Sequence, residues 1–161
     1  MSSPDSIKTL IYEQLLHSSH LHEQRMDLEL REIKELGELH QLKGIPGSLS
    51  TIHVLDCIGQ HEPINHSAIV EKLKLSKASI TKISKKLLAL DLIHRTQLSD
   101  NRKEVYFRLT PQGKRLFDLH QVLHETEKQR FERFLDDYSD VELQTILKFF
   151  HGMARYIGEN N

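Results

Sequence analysis

Apolar residues recur along most of this 161-residue chain at the three- and four-residue spacing of an α-helix, and glycine, proline and capping residues mark the breaks. Ile7, Leu10, Ile11, Leu15, Leu21, Leu28, Ile33, Leu36 and Leu39 predict a long, proline-free first helix over residues 5–43. Gly44, Pro46 and Gly47 end it, and Ser48 or Ser50 caps a second helix that carries Ile52, Leu55 and Ile58 to about Gln60. After a loop over residues 59–63, Asn65 or Ser67 caps a third helix through Ile69, Val70 and Leu73, and Ser76 caps a fourth that runs to about Leu90. Ile80, Ile83 and Leu87 share one face of this fourth helix, so Lys77, Thr81, Lys82 and Lys85 project from another side.

The period then changes. Residues 94–97 and the alternating residues 104–109 predict two strands of a hairpin around a polar, basic turn over residues 98–103. Thr110 and Pro111 open a fifth helix, threonine as N-cap and proline in the first position, that runs through Leu116, Leu119, Leu123, Phe131 and Phe134. Ser139 and Glu142 form a capping box for a last helix through Leu143, Ile146, Leu147, Phe150 and Ile157. Two helices joined by a tight turn, the second basic on its free face and followed by a hairpin, make a winged helix-turn-helix. The expected fold class is mainly α with a small β-hairpin wing. Residues 48–110 form the DNA-binding part, and residues 1–47 and 111–161 supply a dimerisation part within a single domain, 1–161. The terminal helices carry more apolar surface than the winged module can cover, which predicts a homodimer.

Net charge is only −1, which taken alone argues against a nucleic-acid partner. Its distribution reverses that argument. Residues 1–63 carry 5 Lys and Arg against 10 Asp and Glu, residues 64–115 carry 12 against 4, and residues 116–161 carry 5 against 9. A segment of +8 between segments of −5 and −4 suits phosphate contacts, where each cation releases condensed counterions. No apolar run is long enough to cross a bilayer and no signal-peptide pattern opens the chain, so the expected location is cytoplasmic, with no membrane partner. The single cysteine, Cys57, excludes an internal disulfide and reads as a small core residue beside Val54, Leu55 and Ile58.

The middle of the sequence resembles the MarR family of bacterial winged-helix regulators, and the likeness extends over essentially the whole length. Its carriers are Leu49, Ser50, Val54 and Leu55 in the second helix, residues 76–82 in the fourth, Asp100 and Arg102 in the wing, and Leu109, Thr110 and Gly113 at its exit. Asp91 stands where family members have glycine, at a helix end where aspartate tolerates a left-handed backbone. The resemblance implies a symmetric dimer on a pseudo-palindromic operator of double-stranded DNA, with recognition helices in successive major grooves and wings towards the minor groove. Lys77, Ser79, Thr81, Lys82, Lys85, Arg102 and Lys103 are the candidate DNA contacts, each with an exposed or capping role as its simpler reading.

Eleven histidines are many for a chain of this length. His120 and His124 share a helix face as two zinc ligands would, a spacing that a chain so rich in histidine also produces by chance. The resemblance to the zinc-responsive AdcR/ZitR branch adds weight, because that branch places a pair ten residues after the wing-exit threonine, the interval from Thr110 to His120. It also implies a third histidine, matched by His53, and a first-helix carboxylate. Glu35 has the ungapped spacing, with Glu38, Glu32 or His40 as substitutes. The branch's second metal site has no counterpart, Ile52 and Leu119 standing where acids are expected, so the expectation is one zinc per subunit acting as corepressor of metal-uptake genes. His17, His20 and His22 do not share one face and read as a solvated or weak accessory patch.

Three other readings compete. A MarR-like regulator could take a phenolic or lipophilic effector without metal. A metalloenzyme is disfavoured, because a fourth protein ligand leaves zinc no open position and no metalloprotease motif, nucleophile elbow or phosphate loop occurs. A purely structural dimer leaves the +8 segment unexplained.

Overall fold

The computed structural model describes residues 4–99 and 103–159, with the side chains of Pro4, Asp5 and Glu159 excepted. Six helices and three short strands follow in the order α1 (Pro4–Leu39), α2 (Leu49–His61), β1 (Ile64–Asn65), α3 (His66–Leu73), α4 (Lys77–Ala89), β2 (Ile93–Thr96), β3 (Tyr106–Leu109), α5 (Pro111–Leu135) and α6 (Asp140–Glu159). The chain forms two compact units, Met1–His120 and Gln121–Asn161.

The cap residues behave as their chemistry dictates. Asn65 accepts the Ala68 N–H at 2.8 Å to start α3, and Ser76 accepts that of Ser79 at 3.1 Å to start α4. Thr110 accepts the Gly113 N–H at 3.0 Å and donates its hydroxyl to the Asp91 carbonyl at 2.6 Å, tying the start of α5 to the end of α4. Ser48 is the N-cap of α2, but its hydroxyl meets Thr51 and Ser50 hydroxyls at 2.9 and 3.2 Å and caps no backbone N–H.

Helix ends differ from expectation in one place. α1 stops at Leu39 rather than near residue 43, because Gln41 adopts a left-handed conformation (φ 56°) and Leu42 N–H returns to the Gly37 carbonyl at 2.8 Å. That is a Schellman closure, made by glutamine where glycine is customary. α4 ends by the same device: Asp91 has φ 54° and Leu92 N–H bonds to the Leu87 carbonyl at 3.0 Å, as its replacement of glycine required.

The three-stranded antiparallel sheet has the order β1-β3-β2. Ile93 pairs with Leu109 and Thr96 with Tyr106, so the hairpin strands are one residue earlier and two residues shorter, respectively, than expected. β1 was not expected at all; its two residues pair with Phe107 and Tyr106, a length that carries no periodicity. Within the first unit, Ile33, Ile52, Leu55, Ile80, Leu87 and Leu116 are sealed from solvent at 0–1% exposure. Ile83 packs on this core while partly exposed. In the second unit α6 instead leaves Val141, Leu147, Phe149, Phe150 and Ile157 exposed. No helix among the described residues is long and apolar enough to cross a membrane.

Candidate metal centre and DNA-facing surface

The face of α1 that meets the core is the stripe Glu29, Ile33 and Gly37, spaced one turn apart; Ile33 and Gly37 are buried. Glu29 therefore carries its carboxylate inward at the level of α2 and α5. Its Oε1 lies 2.9 Å from Nε2 of His120, a fully buried residue on α5. The other ring nitrogen of His120, Nδ1, lies 2.6 Å from Oδ2 of Asp56 on α2, and His53, one turn earlier on α2, stacks its ring at 6.1 Å and 26° to that of His120. His124 follows one turn later on the same uninterrupted helix. Glu29, His53, His120 and His124 each offer one ligand atom, all within 4.8 Å of one another.

Burial of His120 disfavours its charged form, but the hydrogen bond and charge of Asp56, followed by those of Glu29, outweigh it and raise its pKa above the ordinary imidazole value. In the imidazolium form each ring nitrogen donates to one carboxylate. The same donors suit a borderline cation: three imidazoles and a carboxylate are a zinc-type set, and tetrahedral bonds of about 2.0–2.1 Å would draw the ligand atoms at most about 1.5 Å closer than they lie here. The residues present fit such an ion.

His53, His120 and His124 are thus brought together, but the carboxylate is Glu29 and not Glu35. Six residues on, Glu35 lies about 120° around the helix and is exposed, as are Glu38 and His40. Glu32 points instead to Arg25, at 3.6 Å. The ungapped spacing fails because α1 stops at Leu39 with the Gln41 closure, and the turn of α1 that lies level with His53 is the one carrying Glu29. Asp56 was also missed; an acid among the buried Thr51, Ile52, Val54, Leu55 and Ile58 was the signal that could have found it. His17, His20 and His22 are exposed.

Asp56 also borders a pocket of about 280 Å³ lined by His53, Cys57, Gln60, His61, Lys72 and Leu73. Cys57 is buried there, and burial pushes its thiol pKa up, with Lys72 opposing the shift and Asp56 adding to it. It is a buried core residue, as its neighbours predicted.

On α4, Lys77, Thr81, Lys82 and Lys85 are exposed and Ser79 partly so, while Ile80, Ser84 and Leu87 face inward. No ion pair engages these lysines among the described residues. The Thr81 hydroxyl donates to the Lys77 carbonyl at 2.9 Å and receives the His66 ring nitrogen at 3.0 Å. Ser79 spends its hydroxyl on Ser76 at 2.8 Å. Lys103 is exposed beside the wing tip, and Arg102 lies outside the described residues.

A model of the MarR family matches residues 48–105. The HTH-type transcriptional regulator PchR of Bacillus subtilis is 45% identical over 93% of this chain and 89% of its own. Among solved structures, Streptococcus pneumoniae FabT in complex with DNA superposes with a TM-score of 0.69 at 18% identity, over 93% of this chain and 99% of that one. Lactococcus lactis ZitR, a zinc-responsive MarR family member, superposes at 0.62 and 21%, over 83% and 99%.

Proposed function

The chain belongs to the MarR family of transcriptional regulators, not enzymes, and from that premise we propose that it is a cytoplasmic homodimer that binds a pseudo-palindromic operator in double-stranded DNA and represses metal-uptake genes in response to zinc. The observation that carries the zinc reading is the convergence of Glu29, His53, His120 and His124 from α1, α2 and α5. Four protein ligands make a closed, regulatory type of site, one per subunit. A zinc ion held there supplies a cross-link with no open position for chemistry. Glu29 and the histidine pair belong to the helices that flank the reading head, and His53 belongs to α2 within it, so a shared ligand set biases how α1 and α5 hold α2. ZitR, of the same fold, is itself zinc-responsive.

The exposed cations of α4, with Arg102 and Lys103 of the wing, are the proposed DNA contacts. Lys77, Lys82 and Lys85 anchor phosphates or reach base edges, whereas Ser79 and Thr81 support the helix start and its neighbour α3 through bonds they already make. The exposed aromatic and aliphatic face of α6 is the proposed dimer surface. The pocket beside the histidines, with Leu73 as its one aliphatic side chain, does not itself suit a lipophilic effector.

Operator affinity measured with zinc and again with a chelator tests this reading. The expected ratio is about 5- to 150-fold, and operator DNA must tighten zinc by the same factor. Equal operator affinities would sink it.

A further inference from the structure

Asp56 lies among the buried Thr51, Ile52, Val54, Leu55 and Ile58 of α2 and is itself only 7% exposed. Among the described residues its carboxylate makes one hydrogen bond, Oδ2 accepting from Nδ1 of His120 at 2.6 Å. Its second oxygen, Oδ1, is buried and has no hydrogen-bond partner. Leaving a buried acceptor unpaired costs stability, so packing alone gives no reason for an acid here. What Asp56 does achieve is orientation. It holds one ring nitrogen of His120 so that the other, Nε2, is turned to Glu29 at 2.9 Å.

We propose that Asp56 is the positioning residue of the metal centre: by accepting the Nδ1–H of His120 it fixes the tautomer and ring plane in which Nε2 is the ligand atom, and its charge makes that nitrogen a better donor. This rests on the zinc reading above. The stacked His53 ring restrains His120 from the side without distinguishing its two nitrogens, since a ring turned by 180° would stack equally well, whereas Asp56 holds Nδ1 and leaves Nε2 to the side of Glu29.

Full-length chains carrying Asp56→Asn and Asp56→Leu, compared with wild type, test the assignment. Zinc affinity is read by competition with a chromophoric chelator, folding by circular dichroism, and the His120 ring by proton–nitrogen correlation spectra. Asp56→Leu should bind zinc about 10- to 100-fold more weakly. Asp56→Asn keeps an acceptor but no charge, and should fall between the two. The Nδ1 proton should resonate far downfield in wild type, persist in Asp56→Asn and vanish in Asp56→Leu. Zinc affinity of Asp56→Leu within about twofold of wild type overturns the proposal, as does an unchanged Nδ1 signal. Should Asp56→Leu fail to fold, an Asp56→Asn affinity equal to wild type overturns it too. A wild-type chain that takes up no zinc defeats the preceding reading instead, while the Nδ1 signal in that metal-free protein still decides whether Asp56 orients the ring.

Discussion

Glu29 and Glu35 differ in little but their angle on α1, and that angle separates them sharply. Glu29 shares the inward stripe with Ile33 and Gly37; Glu35 faces solvent. Glu29→Gln is expected to lower zinc affinity by more than about tenfold, whereas Glu35→Gln leaves it unchanged, both read by chelator competition. The reverse ranking would restore the ungapped alignment. His120 and His124 were suggested by a four-residue interval within one helix, which needs no knowledge of tertiary structure, but the resemblance gave that interval its weight and alone pointed to His53. The carboxylate was not legible, because it depends on how α1 leads into α2. That path turns on Gln41, whose positive φ no side-chain signal announces. Asp91 was legible for the opposite reason: the resemblance supplied glycine at that position, and glycine there names the backbone conformation.

Among the elements, α2 to α4 were readable from caps and spacing: Asn65, not its alternative Ser67, caps α3, and Ser76 and Thr110 accept at the starts of α4 and α5. Ser139 shows the capping box in altered form, its N–H and hydroxyl both reaching the Glu142 carboxylate, at 2.9 and 2.6 Å. Those bonds hold the Glu142 carboxyl below its usual pKa. β1 was unreadable, since two residues define no period and their pairing partners lie some forty residues away. The approach of α5 to the end of α4 was likewise visible only as a glycine. A Cβ on Gly113 would stand 1.8 Å from the Leu92 carbonyl oxygen, backbone that cannot step aside without moving β2. Gly113→Ala should therefore destabilise the fold by on the order of 3 kcal/mol, measured by denaturant titration. A loss below about 0.5 kcal/mol would mean that the two elements are not seated so closely.

For the whole molecule, the near-neutral net charge hides a division of labour. The +8 segment contains the exposed lysines of α4, and the acidic flanks contain α1, the later part of α5 and α6. Each of Lys77→Ala, Lys82→Ala and Lys85→Ala that removes a phosphate contact should lower the salt dependence of operator binding by about one unit of log–log slope and weaken binding to all sequences alike. A lysine whose loss relaxes sequence preference at one base pair, with the slope unchanged, reads that base instead. Slopes unmoved by all three would remove α4 from the interface.

Asn65 joins two of these scales through one amide. Its oxygen starts α3 while its nitrogen donates to the Glu104 carboxylate just ahead of β3. The aim of the hairpin is thereby latched to the first turn of the helix-turn-helix, by a group that an acid can imitate on one side only. Asn65→Asp keeps the helix start and sets two anions face to face across the latch, so it should free the hairpin tip without unfolding the helix. Hydrogen exchange should then quicken around residues 103–106 and stay slow in α3. The aim of the hairpin would then become adjustable independently of the helix-turn-helix that α3 opens.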